Sequence, residues 1–196
     1  MAKSGKRGRP RRDWAVRTPS GRISRAKDNA MDVALAARIR LYGLSEAQAK
    51  DQHAVTVLGR LWLSGLLRSG DEPVKIAEAR RMAGEAYVQL RNAAYKAIRA
   101  PASLRVGDTR GGEVDLDLLS KEVIDAYETW CDRACARWDE ARNALVEFGR
   151  QNREIVPLTA VNVIVIEDQD ARWLLADLIA GLDVLAGFFG LTKAKQ

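Results

Sequence analysis

The densest chemistry in the sequence lies in a short basic segment near its start, Lys6-Arg7-Gly8-Arg9-Pro10-Arg11-Arg12. Arginine and lysine at this density bind phosphates, and a glycine between two arginines lets the backbone lie on the floor of a narrow groove. Proline keeps such a segment extended. A·T-rich DNA has a narrow minor groove whose negative potential attracts arginine. The segment therefore predicts binding to the minor groove of A·T-rich DNA.

This segment resembles the AT-hook, a DNA-binding motif with an Arg-Gly-Arg-Pro core, which is Arg7-Gly8-Arg9-Pro10 here. Downstream, Thr18, Ser20 and Ser24 add hydroxyl donors for phosphates. A less specific RNA- or phosphate-binding arm and an inert tail are the alternative interpretations. The residues predicted to bind nucleic acid are Lys6, Arg7, Gly8, Arg9, Pro10, Arg11, Arg12, Arg17, Arg22 and Arg25.

Charge is divided unevenly along the chain. Residues 1–27 carry ten basic and one acidic side chain, a net charge of +9, whereas residues 28–196 carry 22 and 25, a net charge of −3. Residues 1–27 also contain several glycines and prolines and almost no apolar residues, a composition that predicts a disordered arm. Such asymmetry is typical of proteins whose arm binds a polyanion, most often nucleic acid.

The other residues with chemical potential predict no active site. Cys131 and Cys135 lie four apart among tryptophans, where small buried side chains are expected, and His53, the only histidine, is far away in sequence, so zinc is not predicted. No GxxxxGK[ST] phosphate-binding loop and no nucleophile paired with a base are found. The sequence predicts a protein that is not an enzyme and that uses no metal or cofactor.

Two groups of carboxylates are explained by their places at the starts of predicted helices. Glu113, Asp115 and Asp117 precede a predicted helix, where acids are favourable. The acids at 167, 168 and 170 are expected to cap the last helix in the same way.

Length and composition set the class of protein. The 196 residues, 47% hydrophobic, allow one domain with appendages. No apolar run approaches the length of a membrane span, and the basic start lacks the apolar region of a secretory signal. Two cysteines cannot build a disulfide framework, which indicates a reducing compartment, and the cytoplasm of a bacterium or an infected host cell is expected.

The rest of the chain predicts a mainly α fold, because prolines are rare and apolar residues recur at helical spacing. The third and fourth of the predicted helices, 73–99 and 116–149, are expected to form a long antiparallel hairpin. The third is expected to bury a stripe of Ala79, Met82, Ala83, Ala86, Tyr87, Leu90 and Ala94. Helices are predicted over 28–42, 45–68, 73–99, 116–149 and 170–191. The predicted regions are a basic arm at 1–27, an N-terminal helical region at 28–70, the central hairpin at 71–150, and a C-terminal strand and helix at 151–196.

A minor β element is predicted beside the helices. Residues 159–166 are rich in β-branched side chains, which favours a strand. Its partner is either a hairpin at 103–117 or a neighbouring subunit. A homo-oligomer held by the helical hairpin and by this strand is therefore expected.

A helix-turn-helix at 34–53 is a further candidate for DNA recognition. The Gly43–Ser45 junction has the style of such motifs, and Gln48, Lys50 and Gln52 would then face the groove. The apolar continuation of the second helix and its low charge argue against this interpretation.

The whole arrangement resembles the small terminase subunits of bacteriophages, which bind viral DNA. The resemblance rests on the Gly8-Arg9-Pro10 segment, the helical body and the central hairpin. It implies a ring-forming DNA-packaging subunit that delivers DNA to a separate large subunit with ATPase and nuclease activity. An A·T-binding nucleoid-type protein or transcriptional regulator is the alternative, and a phage structural or scaffolding protein is the third class.

The AT-hook resemblance predicts a preference for A·T-rich duplexes. Replacing Arg7 and Arg9 with alanine should weaken DNA binding more than replacing Arg22 and Arg25, since only the first pair flanks Gly8. Competition between A·T-rich and G·C-rich duplexes at one salt concentration measures the preference. If the two duplexes compete equally well, the segment binds DNA only as a polycation and has no preference for A·T-rich sequence.

Overall fold

The structure, a computed structural model, describes residues 22, 30–98 and 121–191, and within these residues it is helical without strands, as a mainly α fold predicts. Its helices are α1 (Ala30–Tyr42), α2 (Glu46–Lys50), α3 (Val57–Leu63), α4 (Val74–Ile98), α5 (Lys121–Gln151), α6 (Pro157–Val161) and α7 (Leu175–Phe188). Short 3₁₀ turns occur at Gln52–Val55 and Arg172–Leu174, and a π turn at Asn162–Ile166. The chain divides into two compact units, residues 1–50 and 51–196.

The first unit contains α1 and α2 joined by a tight turn. Gly43 ends α1 with a φ of 64°, a conformation that glycine adopts without strain. Ser45 and Gln48 form the predicted capping box: the Ser45 Oγ accepts from the Gln48 N–H at 3.2 Å, and the Gln48 Oε1 accepts from the Ser45 N–H at 3.0 Å. Leu44 and Ala49 are buried between the two helices.

The single helix predicted over 45–68 is wrong, because the chain breaks twice within it. Asp51 and Thr56 both have extended backbones and use their side chains as caps. The Asp51 Oδ1 accepts from the His53 N–H at 2.8 Å, and the Thr56 Oγ1 accepts from the Gly59 N–H at 3.1 Å. Short polar side chains that bond the backbone in this way compete with helix continuation.

The predicted helical hairpin is present as α4 and α5, with residues 116–120 of the prediction outside the described residues. The ring centroids of Tyr87 on α4 and Trp138 on α5 lie 4.8 Å apart. On its other sides α4 packs against α3 and α7. Gly84 permits that close approach, because a Cβ there would lie 2.5 Å from the Leu58 Cδ2.

The buried face of α4 is rotated from the predicted stripe. Ala83, Tyr87 and Ala94 are buried as expected, but Met82 is 42% exposed. Arg80 and Arg81 are buried instead, at 3% and 8% exposure. A buried arginine needs acceptors around its guanidinium, so neighbouring elements must provide them.

Arg80 receives those acceptors from two carboxylates and a backbone carbonyl. Its Nε and Nη2 donate to Asp183 on α7 at 2.6 and 2.8 Å. Its Nη1 donates to Glu72 at 2.6 Å and to the Leu67 carbonyl at 2.8 Å. Asp183 and Glu72 raise the pKa of Arg80 against the effect of burial, and Arg80 and the Ser69 N–H hold the pKa of Glu72 below its usual 4.5. One side chain thus joins the α3–α4 connection, α4 and α7.

The strand predicted at 159–166 is wrong, because this segment is α6 followed by the π turn. Pro157 occupies the first turn of α6, where its missing N–H costs nothing. Pro157, Ala160, Val161 and Ile164 are buried at helical spacing against the core of their own chain. Packing outweighs the weak β preference of the branched residues. Residues 159–166 therefore offer no strand edge to a neighbouring subunit, and the partner hairpin predicted at 103–117 lies outside the described residues.

The last predicted helix, 170–191, begins later than expected. The 3₁₀ turn Arg172–Leu174 leads into α7, which ends before Gly190 at a φ of 71°. The buried leucines of α7, Leu178, Leu182 and Leu185, form the centre of the core with α4, α5 and α6.

Removing the Arg80 side chain should destabilise the second unit strongly. Arg80→Ala should lower the free energy of unfolding by about 3 kcal/mol, because it leaves acceptors facing each other without their shared donor. Urea unfolding followed by circular dichroism measures the change. Arg172→Ala is the control, since its 3.3 Å ion pair with Asp170 is exposed and should contribute less than about 1 kcal/mol. Equal effects of the two substitutions would contradict the role given to Arg80.

Removing the Tyr87 hydroxyl should stabilise the hairpin. This hydroxyl is buried without a hydrogen-bond partner among the described residues, and burial raises the pKa of Tyr87 to about 12. Tyr87→Phe keeps the ring contact with Trp138 and should raise the free energy of unfolding by about 1 kcal/mol. A loss of stability in the same urea experiment would show that the hydroxyl has a partner in solution.

Candidate nucleic-acid interface

The predicted nucleic-acid-binding residues lie almost entirely outside the described part of the chain. Lys6, Arg7, Gly8, Arg9, Pro10, Arg11, Arg12, Arg17 and Arg25 fall in the residues that the structure leaves undescribed. Arg22 is described and is exposed to solvent. In the first unit, the structure therefore describes α1, α2 and the turn between them, and not the arm itself.

The positive charge of the first unit lies in residues 1–27, because residues 28–50 carry three basic and three acidic side chains and have no net charge. Residues 1–50 carry thirteen basic and four acidic side chains, a net charge of +9, whereas residues 51–196 carry nineteen and 22, a net charge of −3. A segment of such high positive charge attracts polyanions in general.

The helix-turn-helix junction is formed, but its polar residues are used within the chain. The Gln48 side chain closes the capping box, and Lys50 forms an ion pair with Glu46 at 2.5 Å. The Arg38 Nη1 donates to the Ala49 carbonyl at 3.1 Å, which ties α1 to the end of α2.

The helix that would enter a DNA groove is short. α2 has five residues, and its first turn carries the acidic Glu46. Recognition helices contact bases through their N-terminal residues, and a carboxylate there is repelled by the phosphates beside the groove. Gln52, the third candidate, lies beyond α2 in the following 3₁₀ turn. This geometry favours the arm over α2 as the DNA-binding element.

The carboxylates at 167, 168 and 170 do not cap the last helix as expected. Asp168 has a φ of 54°, and its Oδ1 accepts from the Val57 N–H at 2.6 Å, so it caps α3 instead. Asp170 pairs with Arg172 at 3.3 Å. Glu113, Asp115 and Asp117 lie outside the described residues.

Sequence reasoning missed a cluster around His53. The Arg81 guanidinium lies 5.0 Å from the centre of the Trp62 ring, and the His53 ring meets Trp62 edge-on at 5.4 Å. Glu85 accepts from Arg81 at 2.6 Å and lies 3.2 Å from the His53 Nδ1. The cluster holds the 3₁₀ turn against α4. Arg81 and Glu85, four residues apart, were its only local signal in the sequence.

Cys131 and Cys135 are free thiols on α5, partly rather than fully buried. Across residues 22, 30–98 and 121–191, no group of three or more histidine, cysteine or carboxylate side chains is close enough to hold a metal ion.

A groove of about 350 Å³ lies where α5 ends and α6 begins. Leu145 and Pro157 contribute to its largely aliphatic lining, and Arg150 and Arg153 are its charged members. Its lining contains no carboxylate, histidine or cysteine, so it offers no acid–base pair or metal-ligand set.

No protein-family model, curated protein or solved structure matches this chain. None of the helices in the described part of the chain is both long and apolar enough to cross a membrane.

Proposed function

We propose that this protein is a non-enzymatic DNA-binding protein that acts as a small-terminase-like subunit in bacteriophage DNA packaging. It binds A·T-rich DNA through the basic residues of its first unit and forms a homo-oligomer through its helical body. Its further partner is a large terminase subunit with ATPase and nuclease activity, and its place is the cytoplasm of a bacterium or an infected host cell. No membrane takes part.

The observation that carries the DNA-binding proposal is the division of charge between the two units. The net charge of +9 lies entirely in residues 1–27, whereas residues 51–196 carry −3, so the attraction for phosphates is concentrated in the arm. Neutralised phosphates release counterions, and this release favours association with any nucleic acid. The Arg7-Gly8-Arg9-Pro10 core adds the preference for a narrow minor groove.

The packaging role rests on the resemblance together with the helical hairpin. α4 has 25 residues and α5 has 31, so each extends well beyond the mean length of helices in globular proteins. A regulator or nucleoid-type protein would use the same arm but would act as a dimer. The size of the assembly therefore separates the two functions.

Deleting residues 1–27 should remove most of the affinity for DNA. The deletion removes ten cations and one anion. The logarithm of the binding constant should fall with the logarithm of salt concentration at a slope of up to about −9 in the full chain, and the slope should be much smaller after deletion. Fluorescence anisotropy with a labelled A·T-rich duplex over a range of salt concentrations measures both.

Charge reversal in the body provides the matched control. Lys75→Glu changes an exposed cation on α4, outside the arm, and should leave the salt slope unchanged. If the deleted protein keeps the full slope, the body binds DNA and the proposal is wrong.

A further inference from the structure

The tip of the helical hairpin, defined here as residues 86–98 of α4 and 121–132 of α5, exposes large apolar side chains. On α4, Tyr95 is 44% and Ile98 is 67% exposed. On α5, Val123 is 52% and Trp130 is 41% exposed. Exposure of the large apolar surface of Trp130 to water is unfavourable, and aromatic side chains of this kind are enriched at protein interfaces.

Among residues 22, 30–98 and 121–191, no further helix packs on the tip as α3, α6 and α7 pack on the rest of the hairpin. α3, α6 and α7 pack with α4 and α5 around the main core, whose α5 members are Ala141 and Leu145. No residue of α5 before Ala134 is buried. Helices in proteins are stabilised mainly by packing of their apolar face, so more than three turns of α5 lie without that support.

The two helices of the tip carry opposite charges. Residues 86–98 of α4 contain Arg91 and Lys96 and no acid. Residues 121–132 of α5 contain one base and four acids, a net charge of −3. The acids are Glu122, Asp125, Glu128 and Asp132, and all four are exposed.

These charges do not neutralise each other within the chain. Although α4 and α5 pack together, no ion pair among the described residues joins Arg91 or Lys96 to an acid of α5. Arg91 lies over the Tyr95 ring instead, with its guanidinium carbon 4.6 Å from the ring centre. The α4 side of the tip is therefore basic and the α5 side is acidic, and both helices expose apolar side chains there.

We propose that this tip docks on the tip of a second copy of the chain, with the basic α4 face of one copy against the acidic α5 face of the other. Because the two faces are complementary, the α4 face of each copy can contact the α5 face of the next, and repetition of this contact closes a ring. The contact covers Tyr95, Ile98, Val123 and Trp130 and places helices of another copy on the tip. The tip is thus the contact surface of the homo-oligomer, and this inference rests on the proposed function, which includes that homo-oligomer.

A charge-exchange experiment on the full chain tests the contact. The first variant combines Arg91→Glu with Lys96→Glu, and the second combines Asp125→Lys with Glu128→Lys. Each alone should weaken self-association by more than about tenfold, because like charges then meet across the interface. An equimolar mixture of the two variants should assemble again, since opposite charges are restored between unlike chains. Sedimentation velocity at tens of micromolar protein measures all three samples.

Two controls keep the result specific. Lys75→Glu combined with Glu140→Lys reverses exposed charges on the same two helices outside the tip and should leave assembly unchanged. Trp130→Ser, which removes apolar contact without changing charge, should weaken assembly as well. Circular dichroism confirms that each variant is folded.

A monomeric wild-type protein would overturn the inference, as would a mixture of the two charge variants that stays dissociated. In either case the tip is not the contact between copies of the chain. DNA binding is scored separately: dissociated tip variants keep the arm and should still bind a duplex, with a salt dependence that deletion of residues 1–27 removes. Loss of assembly without any effect of the arm on DNA binding would refute the proposed function and leave the tip contact standing.

Discussion

A guanidinium keeps its charge at every pH that a protein survives, so an arginine taken out of water must be surrounded by acceptors. Arg80 meets this requirement with Glu72, the Leu67 carbonyl and Asp183, which come from the connection before α4 and from α7. Two of these partners lie within thirteen residues of Arg80 and the third lies 103 residues away. The network therefore fixes where α7 sits on α4 as well as how the chain enters α4.

The orientation of α4 about its own axis follows from this network. With Arg80 turned inward, Met82 faces solvent and Tyr87 packs on Trp138 of α5. Gly84, on the same helix, brings α4 close to Leu58 and Leu182. The cost is a Tyr87 hydroxyl that is buried without a partner in the described part of the chain. The hairpin thus has a tightly packed base, where three other helices cover it, and a tip that only two helices form.

Charge is arranged on two length scales in this molecule. Over the whole chain, residues 1–27 are strongly basic and residues 51–196 are mildly acidic. Within the second unit, the tip of the hairpin repeats the division in miniature, with cations on α4 and anions on α5. The first of these two charge separations suits a ligand whose charges all have the same sign. The second suits a partner that carries both signs in the same arrangement, as another copy of the chain does.

The sequence alone determined the features that depend on neighbouring residues. The end of α1 at Gly43, the start of α2 after Ser45 and the helical spacing of apolar residues in α5 are local features, and the sequence predicted each of them. The basic arm is a matter of composition, so its proposed role does not depend on a fold. The mainly α class followed from the same local patterns.

Tertiary structure decided what depends on distant partners. The β-branched run at 159–166 predicted a strand, although residues 157, 160, 161 and 164 have helical spacing. Intrinsic propensities differ by less than about 1 kcal/mol per residue, so they favour neither form decisively. Burial against the core settled the choice. Neither Arg80 nor Arg81 belongs to the stripe that the sequence predicts to be buried, since nothing near them in the sequence indicates Asp183 or Trp62. Whether a polar side chain is buried depends on acceptors that only the folded chain brings within hydrogen-bonding distance.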